Sequence, residues 1–82
     1  MSKRVRKVLA VHGQLVEPLA KMKNSDDLYE AGMTSHASVN LMLALENEFG
    51  VEIPESKLRR STFQTIDDIC RMLKKLDIKD SA

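Results

Sequence analysis

Residues 27–54 read DLYEAGMTSHASVNLMLALENEFGVEIP, and the fold is decided by how this stretch divides. After Thr34-Ser35, apolar residues recur as Val39, Met42, Leu43, Leu45 and Phe49. That is the spacing of an amphipathic helix, and it predicts one over residues 35–49. Either Thr34 or Ser35 can supply the side-chain oxygen that caps its first free amides. Gly50 stands where a helix stops in the left-handed conformation. Before the helix, residues 17–34 mix turn and cap formers (Pro18, Asn24, Ser25, Asp26, Asp27, Gly32) with Leu19, Met22, Leu28, Tyr29 and Met33. A connection of this length that carries apolar residues packs over the core, and long loops in small domains are often functional.

Working outward, Val5, Val8, Leu9, His12, Leu15 and Val16 keep the helical period, with Ser2 as a cap and Pro18 closing the segment. This predicts a first helix over about 3–16, with His12 as a core or boundary histidine on its apolar stripe. Downstream, Val51-Glu52-Ile53 is too short for a strand, and Pro54 ends it. Residues 55–60 suggest one short helical turn with Leu58 inward. Thr65-Ile66-Asp67-Asp68 opens a last helix over about 66–76 whose inner face is Ile66, Ile69, Cys70, Leu73 and Leu76. The tail 77–82 is expected to be loose. The expected fold is all-α: one domain over 1–82 with a core of about 3–77, built as a small four-helix bundle of three main helices plus a short third one.

Composition narrows the function. The chain has 82 residues, 13 Lys+Arg against 12 Asp+Glu, a net charge of +1, an apolar fraction of 43% and one Cys. A single small domain leaves little room for a water-excluding catalytic cleft, and no triad or acid–base pair stands out, so the chain is expected not to be an enzyme. One Cys excludes an internal disulfide framework and a cysteine zinc site, which suits a reducing cytoplasm. No apolar run approaches the roughly 18 residues of a membrane span. Lys3-Arg4-Val5-Arg6-Lys7 is not followed by the continuous apolar stretch of a signal peptide. Near-neutral charge and a central helix offering only Asn40 and Asn47 argue against nucleic acid. No metal site is expected: Asp26-Asp27 read as loop and cap residues, and the two histidines have no ligand spacing. His36 adjoins Ser35, but neighbouring helical residues point about 100° apart and do not form a nucleophile–base pair. Cys70 falls on a helical stripe as a small core residue.

Ser35 remains. A helix N-terminus presents unpaired N–H groups and partial positive charge, a favourable place for a phosphate ester. Its hydroxyl can cap the helix or be the attachment point of a phosphate-linked group, and the pattern alone leaves both readings open.

The stretch from Asp27 to Ser35, with Val39, Leu41-Met42, Leu45-Glu46 and residues 48–54, resembles an acyl carrier protein. The family pattern is Asp-Leu, a short gap, a Gly, then Asp-Ser-Leu, with a following helix that ends in Leu-Glu-x-x-Phe before a short apolar segment and Pro. The likeness runs from about Asp27 to Leu76. It implies a four-helix carrier fold, a 4′-phosphopantetheine arm esterified to Ser35 by a phosphopantetheinyl transferase, and cargo held as a thioester on the arm's thiol. Catalytic residues are not needed for that task, nor is Cys70.

The departures point to a narrower group. Thr34 stands where the family has Asp, and His36 where it has Leu. Ala37, Ser38 and Asn40 leave the first half of the central helix uncharged, whereas the family is usually strongly acidic. Charge complementarity selects partners, so this pattern disfavours fatty-acid synthase enzymes. Asp27-Leu28-Tyr29, Ala31-Gly32, Ser35, Ala37-Ser38-Val39, Leu41-Met42-Leu43, Leu58, Arg60 and Phe63 resemble a small bacterial group of aminoacyl carrier proteins. Stand-alone amino acid:carrier-protein ligases similar to seryl-tRNA synthetases load that group through an aminoacyl adenylate. The resemblance implies a docking surface of Thr34, His36, Val39, Asn40, Leu43, Leu58 and Arg60 on a monomer. Leu43 could equally serve the core, and Arg60 could be a solvated charge or contact the arm phosphate. Two other functions stay in view. One is an acyl carrier for specialised fatty-acid, lipid or polyketide synthesis, served by an acyl ligase or synthase. The other is a helical interaction domain in which Ser35 is only a cap.

Overall fold

The computed structural model describes residues 1–13, 15 and 18–76. The part of the first predicted helix beyond Gly13 (Val16 included) and the predicted loose tail lie, apart from Leu15, outside the described residues. Among the described residues three α-helices form: α1 (Ser2–His12), α2 (Ser35–Phe49) and α3 (Ile66–Lys75). Single 3-10 turns at Leu19–Lys21, Glu55–Lys57 and Arg60–Phe63 shape the connections, the last two in place of the expected short third helix.

The helices meet because each carries one apolar stripe. Val5, Val8 and Leu9 of α1 face Ala37, Leu41 and Leu45 of α2 and Ile66, Ile69, Met72 and Leu73 of α3 in one buried cluster. Leu28, Ala31 and Met33 of the connection, together with Met22, Ile53 and Phe63, close that cluster. The connection is thus packed over the core, as its apolar content requires. Cys70 and Leu76 are half-buried at the edge, and Met72 takes an inner place instead.

Two arginines of α1 tie the layers together. Arg4 Nε donates to Glu48 Oε2 at 3.1 Å and Nη2 to the Glu48 carbonyl at 2.9 Å, while its guanidinium lies 4.3 Å from the Phe49 ring centroid. Arg6 donates to the carbonyls of Leu19 (3.1 Å) and Met22 (2.7 Å) and twice to Asn24 Oδ1. The Asn24 carbonyl in turn accepts from the Asp67 amide at the start of α3.

Three local expectations are corrected. Ser2 does not cap α1: Met1 is the N-cap residue, and Ser2 is already helical, so its hydroxyl is not in the capping position. α1 ends at His12, where the Gly13 amide bonds to the Leu9 carbonyl, and His12 is exposed because the last residue of the helix overhangs an open groove. Leu58 is not inward but 44% exposed, since the chain between the two 3-10 turns runs over the surface. Among the described residues no helix is long and apolar enough to cross a membrane.

Candidate functional site: the start of α2

The approach to α2 is built by Asp27. Its Oδ1 accepts from the amides of Tyr29 (2.9 Å) and Glu30 (3.2 Å), and its Oδ2 accepts from Gln64 Nε2 at 2.9 Å. The Leu28 amide donates to the Gln64 carbonyl at 2.7 Å. These bonds pin the turn to the segment before α3. Gly32, at φ 114°, then takes a backbone conformation open to few other residues and delivers Met33 into the core and Thr34 to the surface.

The hydrogen bond from Gln64 does most to hold the Asp27 carboxyl below its ordinary value of 3.8; burial opposes it as the next largest effect, and the Glu30 and Tyr29 amides and the charge of Arg60 each lower it further by less. A carboxyl lowered in the folded state contributes stability above its unfolded pKa and loses it as pH falls through the folded value. The difference in urea midpoint between wild type and Asp27→Asn is therefore expected to be largest near neutral pH. It shrinks progressively below about pH 4, the range where unfolded Asp protonates.

Thr34 resolves the ambiguity of the cap. It is extended (φ −84°, ψ 166°), and its Oγ1 accepts from the Ala37 amide at 3.0 Å. Ser35 is the first helical residue, exposed, and among the described residues its hydroxyl makes no hydrogen bond; only its carbonyl is used, by Ser38 Oγ at 2.7 Å. The helix thus leaves the serine hydroxyl free at its positive end. Thr34→Ala is expected to cost about 0.5–2 kcal/mol as a lost cap. Ser35→Ala is expected to stay within about 0.5 kcal/mol, as an exposed substitution with no bond to lose. Paired urea denaturations check the contrast, and the reverse order would place the cap at Ser35.

A cavity of about 370 Å³ opens beside Ser35, walled by Ser35, Ser38, Val39 and Met42 of α2, by Leu58, Arg59, Arg60 and Phe63, and by Tyr29. Arg60 stacks on the Tyr29 ring, 4.0 Å from its centroid. Of the residues expected to dock a partner, Val39, Leu58 and Arg60 converge here with Ser35. Asn40 and Leu43 line a separate groove between α1 and α2, together with Val11 and His12. Thr34 and His36 are exposed on either side of Ser35 and line neither hollow. Leu43 is 51% exposed, which decides against the core reading. Tyr29, Ser38, Met42 and Phe63 were not foreseen as parts of this cavity. The signal for two of them was present: Ser38 and Val39 stand three and four residues after Ser35, and Met42 four and three residues after those two.

The fit to a phosphate-linked group is direct. A free exposed hydroxyl stands at a helix N-terminus, with two guanidinium groups across the cavity and, among the described residues, no carboxylate in its wall.

Residues 4–73 match the family model described as the phosphopantetheine attachment site. The aminoacyl carrier protein of Agrobacterium fabrum is 39% identical over the whole of both chains. Among solved structures, the chain resembles one in an engineered Bradyrhizobium japonicum glycine:[carrier protein] ligase complexed with carrier protein from Agrobacterium tumefaciens and AMP. There the TM-score is 0.87 at 40% identity, covering 90% of this chain and 99% of the other. A second, with a TM-score of 0.66 at 35% identity and covering 85% and 97%, comes from the Bradyrhizobium japonicum ligase complexed with glycylated carrier protein. A family match over most of the chain, a full-length relative and the same helical arrangement agree: the chain belongs to the phosphopantetheine-bearing carrier proteins, in the company of the aminoacyl carrier proteins.

Proposed function

We propose that Ser35 bears the 4′-phosphopantetheine arm and that the chain carries an activated amino acid from its loading ligase to an acceptor. The observation that carries this reading is the division of labour at the start of α2. Thr34 takes the capping bond, so Ser35 keeps an exposed, unbonded hydroxyl at the positive helix end. The arm, when bound, supplies the thiol that holds the cargo as a thioester. The protein's residues position that arm and present it; none of them makes or breaks the cargo bond, so the chain is a carrier and not an enzyme. The transferase that installs the arm and the ligase that loads it meet a surface of Thr34, His36, Val39, Asn40, Leu43, Leu58 and Arg60. The first half of α2 is uncharged and Arg59 and Arg60 flank it, a surface suited to partners that offer apolar and acidic groups. Coenzyme A and ATP, which these steps consume, place the work in the cytoplasm.

The aminoacyl reading rests on the full-length likeness to an aminoacyl carrier protein and on carrier chains solved with a glycine:[carrier protein] ligase. The test is to give the arm-bearing chain to the purified Bradyrhizobium japonicum ligase with ATP and glycine, and to a short-chain acyl ligase in parallel. A glycyl adduct on the arm supports an amino-acid cargo. Loading by the acyl ligase alone would transfer the chain to the acyl-carrier reading.

A further inference from the structure

The cavity beside Ser35 has about 370 Å³, within the roughly 300–1,000 Å³ of small-molecule sites. Ser35 is part of its wall, so a flexible arm attached there starts at the mouth and can fold back inside. The wall is largely apolar, with Val39, Met42, Leu58 and Phe63 in it and the neutral hydroxyls of Ser38 and Tyr29 beside them, and among the described residues its charged side chains are Arg59 and Arg60. Stacking on Tyr29 fixes the Arg60 charge at the rim. The nearby carboxylate of Asp27 is engaged by Gln64 and two backbone amides and does not line the cavity.

We propose that this cavity sorts the cargo at the end of the arm by charge: it takes in an uncharged acyl group and turns away an ammonium group. The proposal rests on the reading that Ser35 bears the arm, and adds how the protein treats what the arm holds. An amino acid joined through its carboxyl keeps its α-amino group, which is protonated below about pH 7.7. Entering this largely apolar hollow strips water from that ammonium and offers only the neutral hydroxyls of Ser38 and Tyr29 in return. The two guanidinium charges at the rim outnumber the single negative charge of the arm's phosphodiester, so they repel it as well. An acyl group of equal size with a methyl in place of the ammonium gains by burial instead. Amino-acid cargo therefore stays displayed to solvent and to the next partner, while a neutral acyl cargo is held against the bundle.

Glycyl and propionyl groups differ only by that exchange of ammonium for methyl. Hydrolysis-resistant amide analogues of the two loaded arms, installed on Ser35 and verified by intact mass, give the comparison. Amide and methyl NMR shifts of Val39, Met42 and Phe63 are read against the unloaded arm at about pH 6.5, where the amine is charged. The propionyl form is expected to move these resonances, and the glycyl form to leave them in place, an occupancy difference of about tenfold or more. Arg59→Glu with Arg60→Glu, and separately the exposed Leu58→Glu, are expected to draw the glycyl form in. Equal shifts from both cargoes, or no shift from propionyl, would overturn the proposal on a chain that plainly bears the arm. Glycyl exclusion that survives both variants would also overturn it, because neither the rim charge nor the lack of an acidic acceptor would then be its cause. A chain that takes no arm brings down the attachment reading itself, and this proposal with it.

Discussion

Leu41→Ala is expected to destabilise the fold by about 2–5 kcal/mol, the cost of deleting a fully buried leucine and leaving a cavity. Leu41 is completely buried at the middle of the α2 stripe, between Ala37 and Leu45, where α1 and α3 both close on the core. A domain of this size has about 0.05–0.15 kcal/mol of stability per residue, so the loss takes a large share of the total. Leu43 is the control: it lies two positions along the same helix but is 51% exposed. Leu43→Ala is expected to stay within about 0.5 kcal/mol, as surface substitutions do. Urea unfolding followed by circular dichroism reads both. Equal losses at the two positions would mean that α2 is rotated from the orientation described, and Ser35 and its cavity would rotate with it.

Arg6→Ala is expected to cost about 1.5–3 kcal/mol, the range for hydrogen bonds to a charged group. Its guanidinium gathers the carbonyls of Leu19 and Met22 and the side chain of Asn24, and Asn24 meets the start of α3 through Asp67. Removal leaves half-buried acceptors unmatched and frees the connection that leads to Ser35. Arg6→Lys is expected to recover less than half of the loss, because an ammonium cannot reach several fixed acceptors as a planar fork does. Hydrogen exchange of the Met22 and Asp67 amides locates the effect: both are expected to exchange faster in Arg6→Ala, while the amides in the middle of α2 keep the protection of the remaining global stability. Full stability in Arg6→Ala would show that the connection is held by its apolar contacts alone.

The central helix was the most legible part of the chain. Its bounds, 35–49, its left-handed stop at Gly50 (φ 64°) and the capping of α3 by Thr65 all follow from local rules, and the structure has them. Local patterns hold there because periodicity, cap and stop agree over a long element. The first helix was less legible. His12 keeps the angular position of Val5, but the helix ends at His12, and periodicity does not report where neighbouring helices stop covering it. Leu58 was misread because it was placed on the inner side of a single helical turn over 55–60, whereas the chain between two 3-10 turns carries it over the surface.

At the site, Ser35 could be singled out from sequence, but its freedom to act could not. Thr34 and Ser35 are both good caps, and only the backbone geometry assigns the bond to Thr34. The cavity was legible only on its α2 side. Tyr29, Arg59 and Phe63 reach it from two other segments, and nothing in the local sequence announces that convergence. Arg6 was seen as one of a basic cluster. Its role as a latch depends on carbonyls 13 and 16 residues away.

The central claim is that Ser35 is where the arm is joined, and intact mass tests it most directly. Wild type and Ser35→Ala are each treated with coenzyme A, Mg²⁺ and a broad-specificity phosphopantetheinyl transferase. One added phosphopantetheine is expected on the wild type and none on Ser35→Ala, which stays folded because Thr34 still caps α2. An added arm on both proteins, or none on folded wild type with several transferases, would contradict it.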